Sequence, residues 1–66
     1  MKNTIKVQRA IKDVTQAQLA DIIGVSRQTI SAIEKNKYVP STVLALKLAR
    51  YFEVALEEIF ELTEED

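Results

Sequence analysis

The chain contains a single glycine, Gly24, which lies between two segments that both have a helix pattern. Before it, Thr15 and Gln18 have the spacing of a capping box, in which two side chains satisfy free backbone N–H groups at a helix start. After it, Ser26 is a favoured N-cap for a helix that we expect over residues 27–35. Because a glycine has no Cβ, it suits the left-handed position that ends a helix. The spacing therefore predicts two short helices joined by a tight turn of about three residues.

Helix patterns also dominate the rest of the chain. Apolar and polar residues alternate over Phe60–Thr63, which indicates a short terminal strand. Pro40 cannot continue a helix, and Ser41 can cap the next one. The sequence thus predicts one all-α domain, 1–66, with five helices and an acidic tail over residues 61–66. The three further helices are expected at residues 5–12, 42–52 and 56–60.

Composition excludes several classes of function. None of the 66 residues is a cysteine or a histidine, which excludes a disulfide framework, a thiol nucleophile and the commonest metal ligands and general base. No apolar run is long enough for a signal peptide or a membrane span, so we expect a cytoplasmic protein. The formal net charge is −1, but residues 1–50 carry +6 and residues 51–66 carry −7. A basic body of this kind indicates, in a general way, a polyanionic partner.

The segment from Gln16 to Lys35 is a helix-turn-helix unit. Its first helix carries a small residue, Ala20, where the two helices are expected to cross, because a larger side chain would push them apart. The outward face of its second helix carries side chains of the types that read base edges in a DNA major groove. These candidate base-reading residues are Arg27, Gln28, Ser31 and Ala32.

With this unit in place, the chain resembles the Cro/phage-repressor (XRE-type) helix-turn-helix transcriptional regulators over nearly its whole length. The motifs that carry the resemblance are Arg9 before Thr15-Gln16, Leu19-Ala20, Gly24 to Ile30, Ile33-Glu34, Lys37-Tyr38, Pro40-Ser41, Leu44 to Leu46, Leu48-Ala49 and Leu56 to Phe60. It implies a lambda-repressor-like five-helix domain that binds a pseudo-palindromic operator in double-stranded DNA. It further implies a homodimeric repressor that needs no cofactor and catalyses no reaction. We see no segment that would hold a small-molecule effector.

The resemblance also implies roles for individual residues. Arg27 and Gln28 match base-reading positions, and Ala32 matches a groove-facing position where its methyl group would touch a thymine methyl. Arg9 and Glu34 match a partly buried salt bridge between the first helix and the recognition helix. The positions that match phosphate-contacting residues are Gln16, Ser26, Thr29, Asn36, Lys37 and Tyr38.

Two questions stay open at this point. One concerns the dimer interface, for which the C-terminal apolar residues are candidates, although the same residues would also serve to close the core of a single chain. The second concerns function, because a helix-turn-helix fold is also compatible with a protein-interaction module, such as an antitoxin-like or co-activator-like adaptor. The candidate interface residues are Leu56, Ile59, Phe60 and Leu62.

The chain departs from the family pattern at several helix ends. Asp13, Asn36 and Glu53 occupy positions where a glycine is frequent, and only Asp and Asn tolerate a left-handed backbone well. Ala55 stands where a Ser or Thr cap is usual. We therefore expect the free energy needed to fray the fifth helix to be roughly 1 kcal/mol lower. These departures affect local stability and leave the predicted fold unchanged.

Overall fold

A computed structural model describes all 66 residues as five helices and one small sheet. The elements follow one another as β1 (Lys2–Asn3), α1 (Ile5–Lys12), α2 (Gln16–Ile23), α3 (Arg27–Glu34), α4 (Thr42–Phe52), α5 (Leu56–Ile59) and β2 (Phe60–Glu61). The prediction of five helices is therefore confirmed, and the expected terminal strand is present. Two helices end one residue earlier than their patterns predict, α3 at Glu34 and α5 at Ile59.

Hydroxyl side chains begin three of the helices. Thr15, Ser26 and Ser41 each accept a hydrogen bond from the backbone N–H three residues further on, at 3.1–3.2 Å. Gln18 completes the capping box of α2, because its Oε1 accepts from the Thr15 N–H at 2.9 Å. At α5, Ala55 provides no side-chain cap, but a carboxylate oxygen of Glu58 accepts from the Ala55 N–H at 3.2 Å. Glu58 thus supplies one half of a capping box, and the half that a Ser or Thr at position 55 would supply is missing.

Four helices end in a residue with a left-handed backbone. Gly24 ends α2 with φ 91°, whereas Asp13, Asn36 and Glu53 end α1, α3 and α4 with φ of 57°, 60° and 59°. The prediction that these three residues occupy glycine-like positions is confirmed. A left-handed backbone costs a residue with a Cβ about 1–2 kcal/mol, and short polar side chains offset part of that cost by local hydrogen bonds. Glu53 is therefore the most strained of the four helix ends.

The core is one cluster of eleven buried apolar residues to which all five helices contribute. The short helices α1 and α5 each contribute one of them, Ile5 and Ile59. No polar or charged residue is buried, and no buried side-chain nitrogen or oxygen lacks a hydrogen-bond partner. The core is held by apolar packing alone, and its members are Ile5, Leu19, Ala20, Ile23, Ile30, Ile33, Leu44, Leu48, Ala49, Phe52 and Ile59.

The sheet joins the two ends of the described chain. β1 pairs antiparallel with β2, with Lys2 opposite Glu61 and Asn3 opposite Phe60. The Thr4 N–H continues the pairing by donating to the Ile59 carbonyl at 2.8 Å. β1 has only two residues, and a strand this short has no periodicity that sequence analysis can detect.

The acidic tail folds back onto the start of the chain. The Thr63 N–H donates to Asp66 Oδ2 at 2.8 Å, and the Met1 ammonium group donates to Asp66 Oδ1 at 3.0 Å. Both hydrogen bonds favour the ionised carboxylate, the one from Thr63 most, and they lower the pKa of Asp66. The tail therefore makes specific contacts in this structure.

None of the five helices has the length and the apolar character that crossing a lipid bilayer requires. No group of three or more acidic side chains is arranged to hold a metal ion.

The strained end of α4 gives a stability prediction. Glu53→Gly removes the left-handed strain but also the exposed ion pair between Glu53 and Lys12 Nζ at 3.0 Å, whereas Glu53→Ala removes only the ion pair. An exposed pair of this kind contributes less than about 1 kcal/mol. We expect the glycine variant to be about 1 kcal/mol more stable than the alanine variant in urea unfolding. Equal stability of the two variants would show that position 53 is unstrained.

Candidate nucleic-acid interface

Helices α2 and α3 pack against each other, and Ala20 is buried near the end of α2. This residue is 2% exposed, and the N–H groups of Gly24 and Val25 both donate to its carbonyl oxygen, at 2.8 and 3.0 Å. The turn is therefore fixed by its hydrogen bonds to the end of α2 as well as by the backbone of Gly24. From α3, Ile30 and Ile33 enter the core and are 0% and 1% exposed. One face of α3 is thus committed to the interior.

The opposite face of α3 points outward and carries the predicted base-reading residues. Arg27 and Gln28 are exposed, and Ser31 and Ala32 are half-buried. Residues three and four apart lie on one side of a helix, so these four side chains form a continuous strip along α3. None of them takes part in a side-chain hydrogen bond or an ion pair within the chain, which leaves their donors and acceptors available.

Two hydroxyl groups are paired at the start of α3. The Ser26 and Thr29 oxygens lie 3.0 Å apart, and Ser26 Oγ also accepts the Thr29 N–H at 3.1 Å. A single hydrogen bond between two hydroxyls uses only one of their two protons. One O–H group is therefore left to donate outward at the N-terminus of α3, where the free N–H groups and the helix dipole favour an anion.

A two-point ion pair holds the other end of α3. Arg9 Nε donates to Glu34 Oε2 at 2.8 Å and Arg9 Nη2 to Glu34 Oε1 at 3.1 Å, while Nη1 donates to the Val14 carbonyl at 3.2 Å. The two side chains are only 15% and 9% exposed. The structure thus places these residues together as the resemblance implied, and the pair joins α1, the α1–α2 turn and α3.

Gln16, the first residue of α2, belongs to the same cluster. Its Nε2 donates to Glu34 Oε1 at 3.3 Å, and its side chain is half-buried. A side-chain amide has two N–H protons, so one of them is free to donate to a phosphate oxygen. Glu34 therefore orients both Arg9 and Gln16, a second role that sequence analysis did not predict.

Two backbone hydrogen bonds close the end of α3, where the following loop begins. The Asn36 N–H donates to the Ile33 carbonyl at 3.0 Å and the Lys37 N–H to the Ala32 carbonyl at 2.9 Å. This is the Schellman arrangement, which requires the left-handed backbone seen at Asn36. Lys37 and Tyr38 follow directly and are exposed. The loop conformation is therefore determined by the end of α3.

Asn3 is a member of this region that sequence analysis missed. From β1, its Nδ2 donates to the Ile33 carbonyl at 2.8 Å and to Asn36 Oδ1 at 3.0 Å. Its Oδ1 accepts the Ile5 N–H at 3.2 Å. The acceptors lie 30 and 33 residues away in sequence, and no local pattern indicates such a contact.

The basic residues are mostly free of acidic partners. Of the nine Lys and Arg residues, only Arg9 and Lys12 form ion pairs in the structure. Arg27, Lys35 and Lys37, which lie on α3 and directly after it, are exposed and unpaired. Free cations at this end of the molecule are suited to an anionic partner.

The four candidate interface residues do not share one environment. Ile59 is 1% exposed and belongs to the core of a single chain, which is the second of the two roles left open for it. Leu56 and Phe60 are half-buried and pack against the same core. Only Leu62 is largely exposed, at 77%.

Comparison with known proteins identifies relatives along the whole helical region. The Helix-turn-helix family model matches residues 5–59, which is the span from the start of α1 to the end of α5. An uncharacterized HTH-type transcriptional regulator of Methanocaldococcus jannaschii is 57% identical over 60 residues, covering 91% of each chain. The uncharacterized HTH-type transcriptional regulator YgzD of Bacillus subtilis is 47% identical over 66 residues, and the alignment covers 100% of both chains.

A solved structure has the same fold. The solution structure of the SOS-response transcriptional repressor LexA from Eubacterium rectale superposes with a TM-score of 0.79 at 27% identity. The match covers 94% of this chain and 66% of the LexA chain in that structure, so it spans just under two thirds of the length of that chain.

The ion pair between Arg9 and Glu34 gives a prediction about stability. Glu34→Leu leaves the guanidinium of Arg9 partly buried with one carbonyl as partner, so we expect a loss of about 3 kcal/mol in the free energy of unfolding. The double variant Arg9→Met, Glu34→Leu removes both charges and should recover at least half of that loss. Urea unfolding of the two variants and of Arg9→Met tests this; costs that simply add would contradict a coupled pair.

Proposed function

The chain belongs to the helix-turn-helix family of transcriptional regulators, and from that membership we propose that it binds a specific operator in double-stranded DNA and represses transcription by occluding it. The observation that carries the proposal is the outward-facing strip of α3, in which Arg27 and Gln28 are exposed and Ser31 and Ala32 are half-buried. Ile30 and Ile33 in the core support it from the opposite face of the helix. The family's members are regulators and not enzymes, so the proposal contains no catalytic step.

In the proposed complex, α3 lies in the major groove and reads bases with the strip. The guanidinium of Arg27 matches the two acceptors of a guanine, and the amide of Gln28 matches the donor and acceptor of an adenine. Ser31 would bond to either type of base edge, and the methyl group of Ala32 would contact a thymine methyl. Support for these roles comes from the exposure of Arg27 and Gln28 and from the absence of competing partners within the chain.

Phosphate contacts would flank this strip and fix the register of the protein on the duplex. At the N-terminus of α3, the free hydroxyl proton of the Ser26–Thr29 pair would donate to a phosphate oxygen. At the C-terminal end of α3, the free amide proton of Gln16 beside Glu34 would donate to another phosphate oxygen. The loop of Asn36, Lys37 and Tyr38, which follows that end, would contact the backbone with one full positive charge and two polar groups.

We further propose that the protein acts as a homodimer. A single recognition helix reads only a few base pairs, too few for a specific genomic site. A two-fold dimer reads two half-sites about 34 Å apart and matches a pseudo-palindromic operator. The C-terminal residues Leu56, Phe60 and Leu62 are the proposed contacts, with Leu62 offering the most exposed apolar surface of the three.

The alternative function is an adaptor that binds a protein and not DNA. The unpaired cations of α3 and its loop favour DNA, and salt dependence separates the two functions. A dimer that contacts about six to eight phosphates should lose about 10³–10⁵ in affinity for DNA between 50 and 200 mM salt. An adaptor would have no specific DNA affinity to lose.

The first prediction is the outcome of selecting bound duplexes from a randomised DNA pool at about 150 mM salt. We expect enrichment of two inverted half-sites spaced by about one helical turn, because a two-fold protein selects a two-fold site. Enrichment of one isolated half-site would contradict the dimer. No enrichment, with weak binding that disappears as salt rises, would contradict the regulator and favour the adaptor.

A second prediction separates base reading from phosphate contact. Arg27→Ala should weaken binding to the selected site by about 1–3 kcal/mol and should weaken binding to random DNA by much less. The reason is that a bidentate contact to guanine carries sequence information. Gln16→Ala should lower the affinity for both duplexes by similar factors. Fluorescence anisotropy titrations of both variants on both duplexes measure this; unchanged site preference in Arg27→Ala would overturn the base-reading role.

A further inference from the structure

Asn3 lies at the junction of two parts of the molecule. Its backbone pairs with Phe60 of β2, and the following residue, Thr4, bonds to the Ile59 carbonyl through its N–H at 2.8 Å. Its side chain faces the other way, toward the end of α3. The residue therefore connects the terminal sheet to the C-terminal end of the recognition helix.

All three hydrogen-bonding sites used by the Asn3 amide are directed at backbone or loop groups. One Nδ2 proton goes to the carbonyl of Ile33 at 2.8 Å, and the second goes to Oδ1 of Asn36 at 3.0 Å. The same Ile33 carbonyl also accepts the Asn36 N–H, which is half of the Schellman arrangement that ends α3. Asn3 thus holds the turn through a backbone carbonyl and through the Asn36 side chain at once.

The braced turn needs such support. Asn36 holds φ at 60°, a conformation that non-glycine residues adopt at a cost, so its side-chain bond to Asn3 stabilises a strained position. Lys37 and Tyr38, which follow immediately, have no side-chain hydrogen bond or ion pair of their own in the structure. Their placement depends on the turn before them.

We propose that Asn3 is a positioning residue for DNA binding: it fixes the Asn36 turn so that the loop of Asn36, Lys37 and Tyr38 meets the phosphate backbone. The inference rests on the proposed function of this loop. Asn3 itself touches no DNA in this proposal and acts through Asn36 and the end of α3. Because phosphate contacts carry no sequence information, the removal of its side-chain amide should affect all duplexes alike.

The test compares Asn3→Ser with Thr4→Val. Serine keeps an oxygen that can cap the Ile5 N–H but is too short to reach Ile33 and Asn36, and it leaves the charge unchanged. The control removes the neighbouring hydrogen bond from Thr4 Oγ1 to the Glu58 carbonyl at 2.7 Å, which ties the same segment to α5 but not to α3. Thermal unfolding of both variants identifies any global loss of stability.

The first readout is amide hydrogen exchange in the free protein. In Asn3→Ser, the exchange rates of the Asn36 and Lys37 N–H groups should rise at least about tenfold relative to core amides, and in Thr4→Val they should not. Unchanged exchange at these two amides in Asn3→Ser would overturn the brace. This measurement needs no DNA and is therefore independent of the proposed function.

The second readout is the salt dependence of binding. Asn3→Ser should reduce the steepness of the fall of log affinity with log salt by about 0.9 for each phosphate that the loop no longer reaches. Specific and random duplexes should both bind about tenfold more weakly at 0.1 M salt for each such phosphate. Thr4→Val should keep the wild-type slope. An unchanged slope in Asn3→Ser would overturn the positioning role even if exchange had risen. A wild-type protein that binds no DNA would overturn the proposed function, and the positioning role with it.

Discussion

The bidentate pair between Arg9 and Glu34 determines how α3, the proposed recognition helix, is held. The core face of α3 is anchored by Ile30 and Ile33, whose apolar packing is non-directional and would leave the helix free to rotate by small amounts. Two parallel N–H···O bonds restrict that rotation, because both must keep their geometry at once. The same carboxylate also positions Gln16. One ion pair thus sets the angle between the proposed base-reading strip and the proposed phosphate donor at the start of α2.

Local sequence signals account for most of the fold. Caps at Thr15, Ser26 and Ser41 place three helix starts correctly, because each cap acts on an N–H only three residues away. The apolar spacing of α2 to α4 identifies most of the core for the same reason, since a helical period is a short-range property. The resemblance to known regulators adds the role of Glu34, which no local pattern around it indicates.

The contacts that the sequence did not predict join distant residues. β1 has two residues and finds its partner at the far end of the chain, and Asn3 bonds to residues 30 and 33 positions away. Ile59 shows a different limit: an apolar residue near the end of a chain suits a core or an interface equally well, and only the packing distinguishes them. The left-handed backbone of Glu53 was predictable only from the resemblance, because glutamate itself has no preference for a positive φ.

The pairing of β1 with β2 has a consequence for the order in which the molecule forms and opens. Helices and their caps close short loops, whereas this sheet closes nearly the whole chain, and the entropy of loop closure rises with loop length. We therefore expect the sheet to assemble last during folding and to separate first during thermal fluctuation, as short terminal elements do. Helix α3 would then lose its contact with the terminal strands while its own hydrogen bonds and core packing remain intact.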